Sequence, residues 1–203
     1  MNQRLAEGMD VNYSKSLVTK QGFFLNHKIM AYDLAASLKG KSVISMDEDK
    51  SDRVLVLGVG NYLMGDEGIG VHIMYEMEEL ELPDYVDVLD GGTGGFFLMN
   101  YFDLYPVVIF VDATMDGQPP GTVTTLKPEF ASDFPTALSV HDVGLKDMIE
   151  AIYLQDKKPD IHLVTITVNG IQPMTMEVTK EVEDATPNAI EAILALAKKY
   201  RVI

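Results

Sequence analysis

From Arg53 onward the apolar positions change period repeatedly, switching between short continuous runs and helical spacing. Val54-Leu55-Val56-Leu57 is an apolar run that reads as a buried strand. Gly70–Leu80 reads as a helix, with Val71, Met74, Met77 and Leu80 on one face. Tyr85–Leu89 reads as a strand ending at Asp90, and Gly95–Tyr105 as a helix rich in large apolar residues. Val107–Val111 is the most apolar strand and ends at Asp112. A Pro119-Pro120-Gly121 turn leads into a strand at Thr122–Leu126. That connection is too short for a crossover helix, so the strand is expected to run antiparallel to its neighbour. Asp142–Leu154 reads as a helix with Leu145, Met148, Ile149, Ile152 and Tyr153 on one stripe, and Ile161–Val168 as a further strand. Thr186 and Pro187 read as an N-cap and first-turn pair opening a last helix that runs to about Tyr200. This alternation predicts an α/β fold: a three-layer α/β/α sandwich with a twisted, mostly parallel sheet of about five strands.

The first fifty residues have a different character. They hold seven basic and six acidic residues, whereas residues 51–203 hold nine basic and twenty-five acidic. One short helix is expected at about His27–Leu38, closed by Gly40, and Gly22-Phe23-Phe24-Leu25 is apolar without a clear period. The chain therefore divides into an N-terminal extension, residues 1–50, and a domain, residues 51–203. A partly ordered appendage, a docking element for a partner and an upstream stretch before a start at Met46 all fit the extension.

Composition narrows the function classes. A chain of 203 residues with 47% hydrophobic and 23% charged content is large enough for one well-filled core. The net charge of -15 repels phosphate backbones and anionic headgroups, which argues against nucleic-acid and membrane partners. No apolar run approaches the roughly 20 residues that span a bilayer, and Met1–Asn12 lacks an apolar signal core, so a cytoplasmic protein is expected. The absence of cysteine removes disulfides, thiolate metal sites and a cysteine nucleophile together.

Chemistry concentrates after the first strand, in Gly58-Val59-Gly60-Asn61-Tyr62-Leu63-Met64-Gly65-Asp66-Glu67-Gly68-Ile69-Gly70-Val71-His72. The glycines suggest a dinucleotide cradle, but Asp66-Glu67 would repel a pyrophosphate at the helix start, and no Walker-type lysine follows. Asp66 suits a helix cap, and the helix dipole favours an ionised Glu67. Glu67 follows the first strand, Asp90 ends the second and Asp112 ends the third, so parallel strands bring three acids to one sheet edge. Such a cluster is costly unless a cation or proton compensates it. His141, in a loop before a helix, can join them, and a Glu/Asp/His donor set suits a borderline divalent ion with open positions.

Residues 51–203 contain only Ser51, Ser132 and Ser139, none in a nucleophile elbow, so metal-assisted hydrolysis fits better than a serine mechanism. His27 reads as solvated and His162 as structural in its strand; His72, on the helix after Glu67, fits helix packing or exposure, with a reach into the site as the alternative. The twelve methionines read as core filler.

Gly58–His72, Asp90-Gly91-Gly92-Thr93, Val111-Asp112-Ala113, Ser139–Gly144 and Gly170-Ile171-Gln172-Pro173 together resemble the hydrogenase maturation proteases, over roughly residues 53–200. The resemblance implies an endopeptidase that removes a C-terminal extension from a nickel-loaded hydrogenase large-subunit precursor. It implies that Glu67, Asp112 and His141 are the catalytic and metal-contacting residues, with Asp90 matching a nearby family acid. It also implies nickel carried by the precursor, with no nucleotide or organic cofactor. A monomer is the expected state. The competing readings are a nickel-dependent checkpoint or chaperone that binds the precursor without cleaving it, and a nucleotide-handling α/β protein.

Overall fold

A computed structural model describes residue 44 and residues 48–93, 95–128, 149–154 and 158–201. The expected helix at His27–Leu38 and the first part of the one expected at Asp142–Leu154 lie outside these residues; 149–153 are helical.

Five strands form one sheet: β1 (Val54–Val59), β2 (Val86–Gly92), β3 (Val107–Thr114), β4 (Val123–Leu126) and β5 (Asp160–Thr167), in the order β2-β1-β3-β5-β4. The first three and β5 are mutually parallel, and β4 is antiparallel. β4 pairs with β5, which lies between it and β3. The helices are α1 (Ile69–Glu78), α2 (Met99–Phe102), α3 (Lys180–Glu183) and α4 (Thr186–Tyr200), with 3-10 turns at Gly65–Gly68 and Gly95–Leu98.

The central strands lack polar alternation because both their faces are covered. Val54, Val56, Ile109, Val111, Val164 and Ile166 pack under α1 and α4, against Ile73, Met74, Met77, Ala189, Ile193 and Ala197. Their alternates Leu55, Leu57, Val108, Phe110, Ile161 and Leu163 face the other way, against Leu98, Phe102, Tyr105, Ile149 and Ile152. Three layers result, as the sequence predicts.

Local expectations were corrected at three places. α1 stops at Glu78, so Leu80 lies beyond the helix and is 49% exposed rather than on its buried face. The expected helix Gly95–Tyr105 is a 3-10 turn followed by the single turn α2. Thr186 does not cap α4: it is the first helical residue, Ala185 holds the cap position, and the Thr186 hydroxyl donates back to the Val182 carbonyl at 3.4 Å. The preceding short α3 leads almost directly into α4, so there is no open helix start for a threonine to cap.

At the amino end of the sheet, Arg53 donates to Asp87 (2.7 Å from Nε), and the Tyr105 hydroxyl donates to the same carboxylate at 2.7 Å. Burial acts to raise the Asp87 pKa, but these donors outweigh it and hold it low; burial and Asp87 together push Tyr105 up. His162 is structural, as expected. It is 1% exposed in β5, stacks on Tyr200 with ring centroids 3.9 Å apart, and lies 3.3 Å from Asp160.

α1 approaches the carboxyl end of the sheet without an intervening side chain. A Cβ on Gly58 would strike the Gly70 carbonyl and Met74, and one on Gly70 would strike the carbonyls of Val59 and Val111. Gly70→Ala is therefore expected to lose about 2 kcal/mol or more in urea unfolding, because backbone cannot yield cheaply. That clash exceeds the roughly 1 kcal/mol that alanine gains in helix propensity. A variant as stable as the parent would contradict the close approach.

Burial lowers the His162 pKa below its ordinary 6.5, with Lys127 and Lys199 adding to the effect and Asp160 opposing it. The native state then binds fewer protons than the unfolded chain just below pH 6.5, so His162 contributes stability that is complete above about 6.5 and declines as pH falls through the folded value. Urea titrations from pH 7.5 to 5 are expected to show this decline, and His162→Phe to remove its share. Identical pH slopes for the two proteins would refute the assignment.

Candidate active site

The sheet order places a topological switch between β1 and β3: the chain leaves β1 for β2 on one side, while β3 is followed outward by β5 on the other. In open α/β sheets the crevice at the carboxyl ends of two such strands is where ligands bind. Glu67 lies in the 3-10 turn directly after β1, and that turn packs against β3. Asp112 lies near the carboxyl end of β3. Both are buried, at 2% and 0% exposure, and Asp66 is equally buried. Glu67 Oε2 accepts the Asn61 backbone N–H at 3.0 Å, and Asp112 Oδ1 accepts that of Ala113 at 2.7 Å.

The turn has little freedom. Gly60, at φ +131°, lies beneath the Glu67 carbonyl with no room for a Cβ, and Gly68 packs on the Asn61 and Tyr62 backbone. Gly60 also donates to the Gly92 carbonyl at 2.9 Å, which ties the turn to the end of β2.

Asp90 shares the edge but not the face. It pairs in register with Gly58, which in turn pairs with Val111, a residue of the core cluster under α1. By the pleat, Asp112 belongs to the opposite face from Asp90. Asp90 accepts the Tyr75 hydroxyl of α1 at 2.7 Å and the Gly92 N–H at 2.9 Å. The expectation that parallel strands gather three acids therefore holds for the edge, while the alternation of the strands separates two of them.

Asp66 is not the helix cap expected from sequence: the helix start has no side-chain cap hydrogen bond. Its carboxylate instead accepts the Thr179 N–H at 2.6 Å, the Thr179 hydroxyl at 3.0 Å and Gln172 Nε2 at 3.0 Å. These partners lie 106 and 113 residues away in the chain, so no local pattern announces them.

His72 packs on the turn. Its ring stacks on Tyr62 at 4.4 Å between centroids, and its buried Nε2 has no hydrogen-bond partner among the described residues. Burial lowers its pKa against the opposing charge of Asp66, so the ring is held towards its neutral form. Tyr62 meets Tyr75 edge-on at 5.5 Å, which continues the aromatic row towards Asp90. His141 lies outside the described residues. Among the described residues, no group of three His, Cys, Asp or Glu side chains is placed to hold a metal ion. The described residues thus include two members of the expected donor set, Glu67 and Asp112.

A mostly parallel α/β/α domain with buried carboxylates at its switch point belongs to a wide class of α/β enzymes; comparison with known proteins narrows it. A family model described as hydrogenase maturation protease matches residues 71–196, a stretch that begins just after Glu67 and includes Asp90, Asp112 and His141. The hydrogenase 2 maturation protease of Escherichia coli K12 is 36% identical over 154 residues, covering 72% of this chain and 92% of that protein. The hydrogenase expression/formation protein HupD of Rhodobacter capsulatus is 37% identical over 131 residues, 63% of this chain and 60% of that protein. Among solved structures, the hydrogenase maturating endopeptidase HybD from Escherichia coli superposes with a TM-score of 0.66 at 36% identity, over 72% of this chain and 93% of that one. The NiFe hydrogenase maturation protease HybD from Thermococcus kodakarensis gives 0.60 at 29% identity, over 71% and 99%. The chain belongs to the hydrogenase maturation protease family and is a peptidase.

Tyr75→Phe removes a hydroxyl donor from a partly buried carboxylate and is expected to cost about 1 to 2 kcal/mol in urea unfolding. An unchanged midpoint would show that the Tyr75–Asp90 bond does not hold α1 to β2.

Proposed function

We propose that this peptidase removes a C-terminal extension from a nickel-loaded hydrogenase large-subunit precursor. The observation that carries the reading is the position of two buried carboxylates, Glu67 and Asp112, at the carboxyl ends of β1 and β3, where the strand order reverses. Membership of the family supplies the reaction class and the kind of substrate.

In this reading Glu67, Asp112 and His141 contact the nickel that the precursor brings. Their oxygen and nitrogen donors suit a borderline divalent ion. The nickel belongs to the substrate, so the site completes only when a loaded precursor is bound, which makes metal insertion the condition for cleavage. A carbonyl polarised by the ion, or a water bound to it, lowers the barrier to hydrolysis. The water's oxygen adds to the scissile carbonyl carbon, the C–N bond breaks, and the released amine takes a proton. The close-packed glycine turn fixes Glu67 in advance, so that little reorganisation accompanies binding. The enzyme acts as a monomer in the cytoplasm without a nucleotide or organic cofactor, and no described helix is long and apolar enough to cross a membrane.

Incubation with a nickel-loaded precursor, read by intact mass, tests the proposal. The parent protein is expected to shorten the precursor, and Glu67→Gln, Asp112→Asn and His141→Ala each to slow cleavage by about 10²-fold or more. Full cleavage by all three variants would remove the site assignment. Nickel-dependent binding with no change in mass would instead favour the checkpoint reading.

A further inference from the structure

Asp66 is 0% exposed and directly precedes Glu67. A carboxylate so buried needs compensation, and among the described residues its partners are neutral donors: the Thr179 N–H at 2.6 Å, the Thr179 hydroxyl at 3.0 Å and Gln172 Nε2 at 3.0 Å. Gln172 engages the same residue twice. Its Oε1 accepts the Asp66 backbone N–H at 2.8 Å, while its Nε2 donates to the Asp66 side chain and, at 3.3 Å, to the Gly170 carbonyl. The amide thus closes a ring around the residue before Glu67.

Gly65 sits within this arrangement. Its φ is +58°, and a Cβ there would strike the Gln172 amide oxygen. On the other side, Gly65 donates to the Thr175 carbonyl at 2.9 Å, Thr175 donates to the Leu63 carbonyl at 3.1 Å, and Met64 and Thr175 form an isolated parallel bridge. The segment from Gln172 to Thr179 is therefore fastened along the whole approach to Glu67, through Leu63, Gly65 and Asp66.

We infer that Gln172, acting through Asp66, is a positioning residue for Glu67: it sets where the Glu67 carboxylate stands without touching substrate. The inference rests on the reading of Glu67 as a site residue. Asp66 is occupied within the fold, because Thr179 and Gln172 donate three hydrogen bonds to its two carboxylate oxygens. Removing the amide leaves Glu67 chemically intact but frees the turn that carries it. Displacement of a reacting group by about 1 Å costs on the order of 10²-fold in rate.

The test is steady-state cleavage of a nickel-loaded precursor by the full chain, with circular dichroism and thermal unfolding on each variant. Gln172→Leu is expected to lower kcat about 10²-fold, with a KM for the precursor within about threefold of the parent and a cooperative unfolding transition above the assay temperature. The paired exchange Asp66→Asn with Gln172→Glu restores an amide–carboxylate pair and is expected to recover at least about tenfold of the kcat lost by Gln172→Glu alone. It also serves as the deciding variant should Gln172→Leu not fold. A folded Gln172→Leu with parental kcat, or a paired exchange that recovers nothing over Gln172→Glu, overturns the inference. Glu67→Gln runs alongside: parental cleavage by that variant overturns the site reading itself, whereas an inactive Glu67→Gln beside an unaffected Gln172→Leu removes only the positioning role.

Discussion

Where α1 meets the sheet, two backbones touch. The Gly70 carbonyl, in the first turn of α1, occupies the side-chain space of Gly58 near the end of β1, and Gly70 itself lies against the carbonyls of Val59 and Val111. Close approach of this kind needs glycine on both surfaces. It draws the start of the helix down onto the gap between β1 and β3 and leaves the intervening residues a short path. That path is the tight turn over Gly60 and Gly68, which delivers Glu67 buried against β3 rather than out in solvent. The position of the carboxylate thus follows from two missing methyl groups.

The layers and most of the strands were readable in sequence because β1, β3 and β5 are covered on both faces, so their apolar runs are continuous and stand out. The antiparallel direction of β4 followed from a short connection, although its partner β5 lies some thirty-five residues further along the chain and could not be inferred locally. Errors arose where an element's end depends on its neighbours. Leu80 continues a helical period that the helix abandons at Glu78, and Thr186 resembles a cap only if α3 is not there to precede it.

At the site, Glu67 and Asp112 were identifiable because Glu67 follows β1 and Asp112 closes the apolar run of β3, although the strand itself continues to Thr114. The face separating Asp90 from Asp112 was harder to see, since it depends on register across β1. Gln172 and Thr179 were not identifiable as partners of Asp66, because only the fold brings the end of β5 back to the turn after β1. A family resemblance could mark Gln172 as part of a motif without saying what its amide touches. His141 was reached from resemblance and loop position, and its geometry lies outside the described residues.

Among the described residues, the clamp on Asp66 has no opposite charge in it. Its strength comes from short, directional bonds from an amide, a hydroxyl and one backbone N–H to a carboxylate that is itself fully buried. Mobile ions screen exchanges between exposed charges over about 10 Å at 0.1 M, and they have little hold on bonds from neutral donors to a buried carboxylate. The chain's net charge of -15, by contrast, is a property of the whole molecule and governs how any large partner approaches it. Ionic strength therefore acts on the encounter with another protein while the turn carrying Glu67 keeps its shape, so that a salt titration separates the arrival of a partner from the integrity of what it meets.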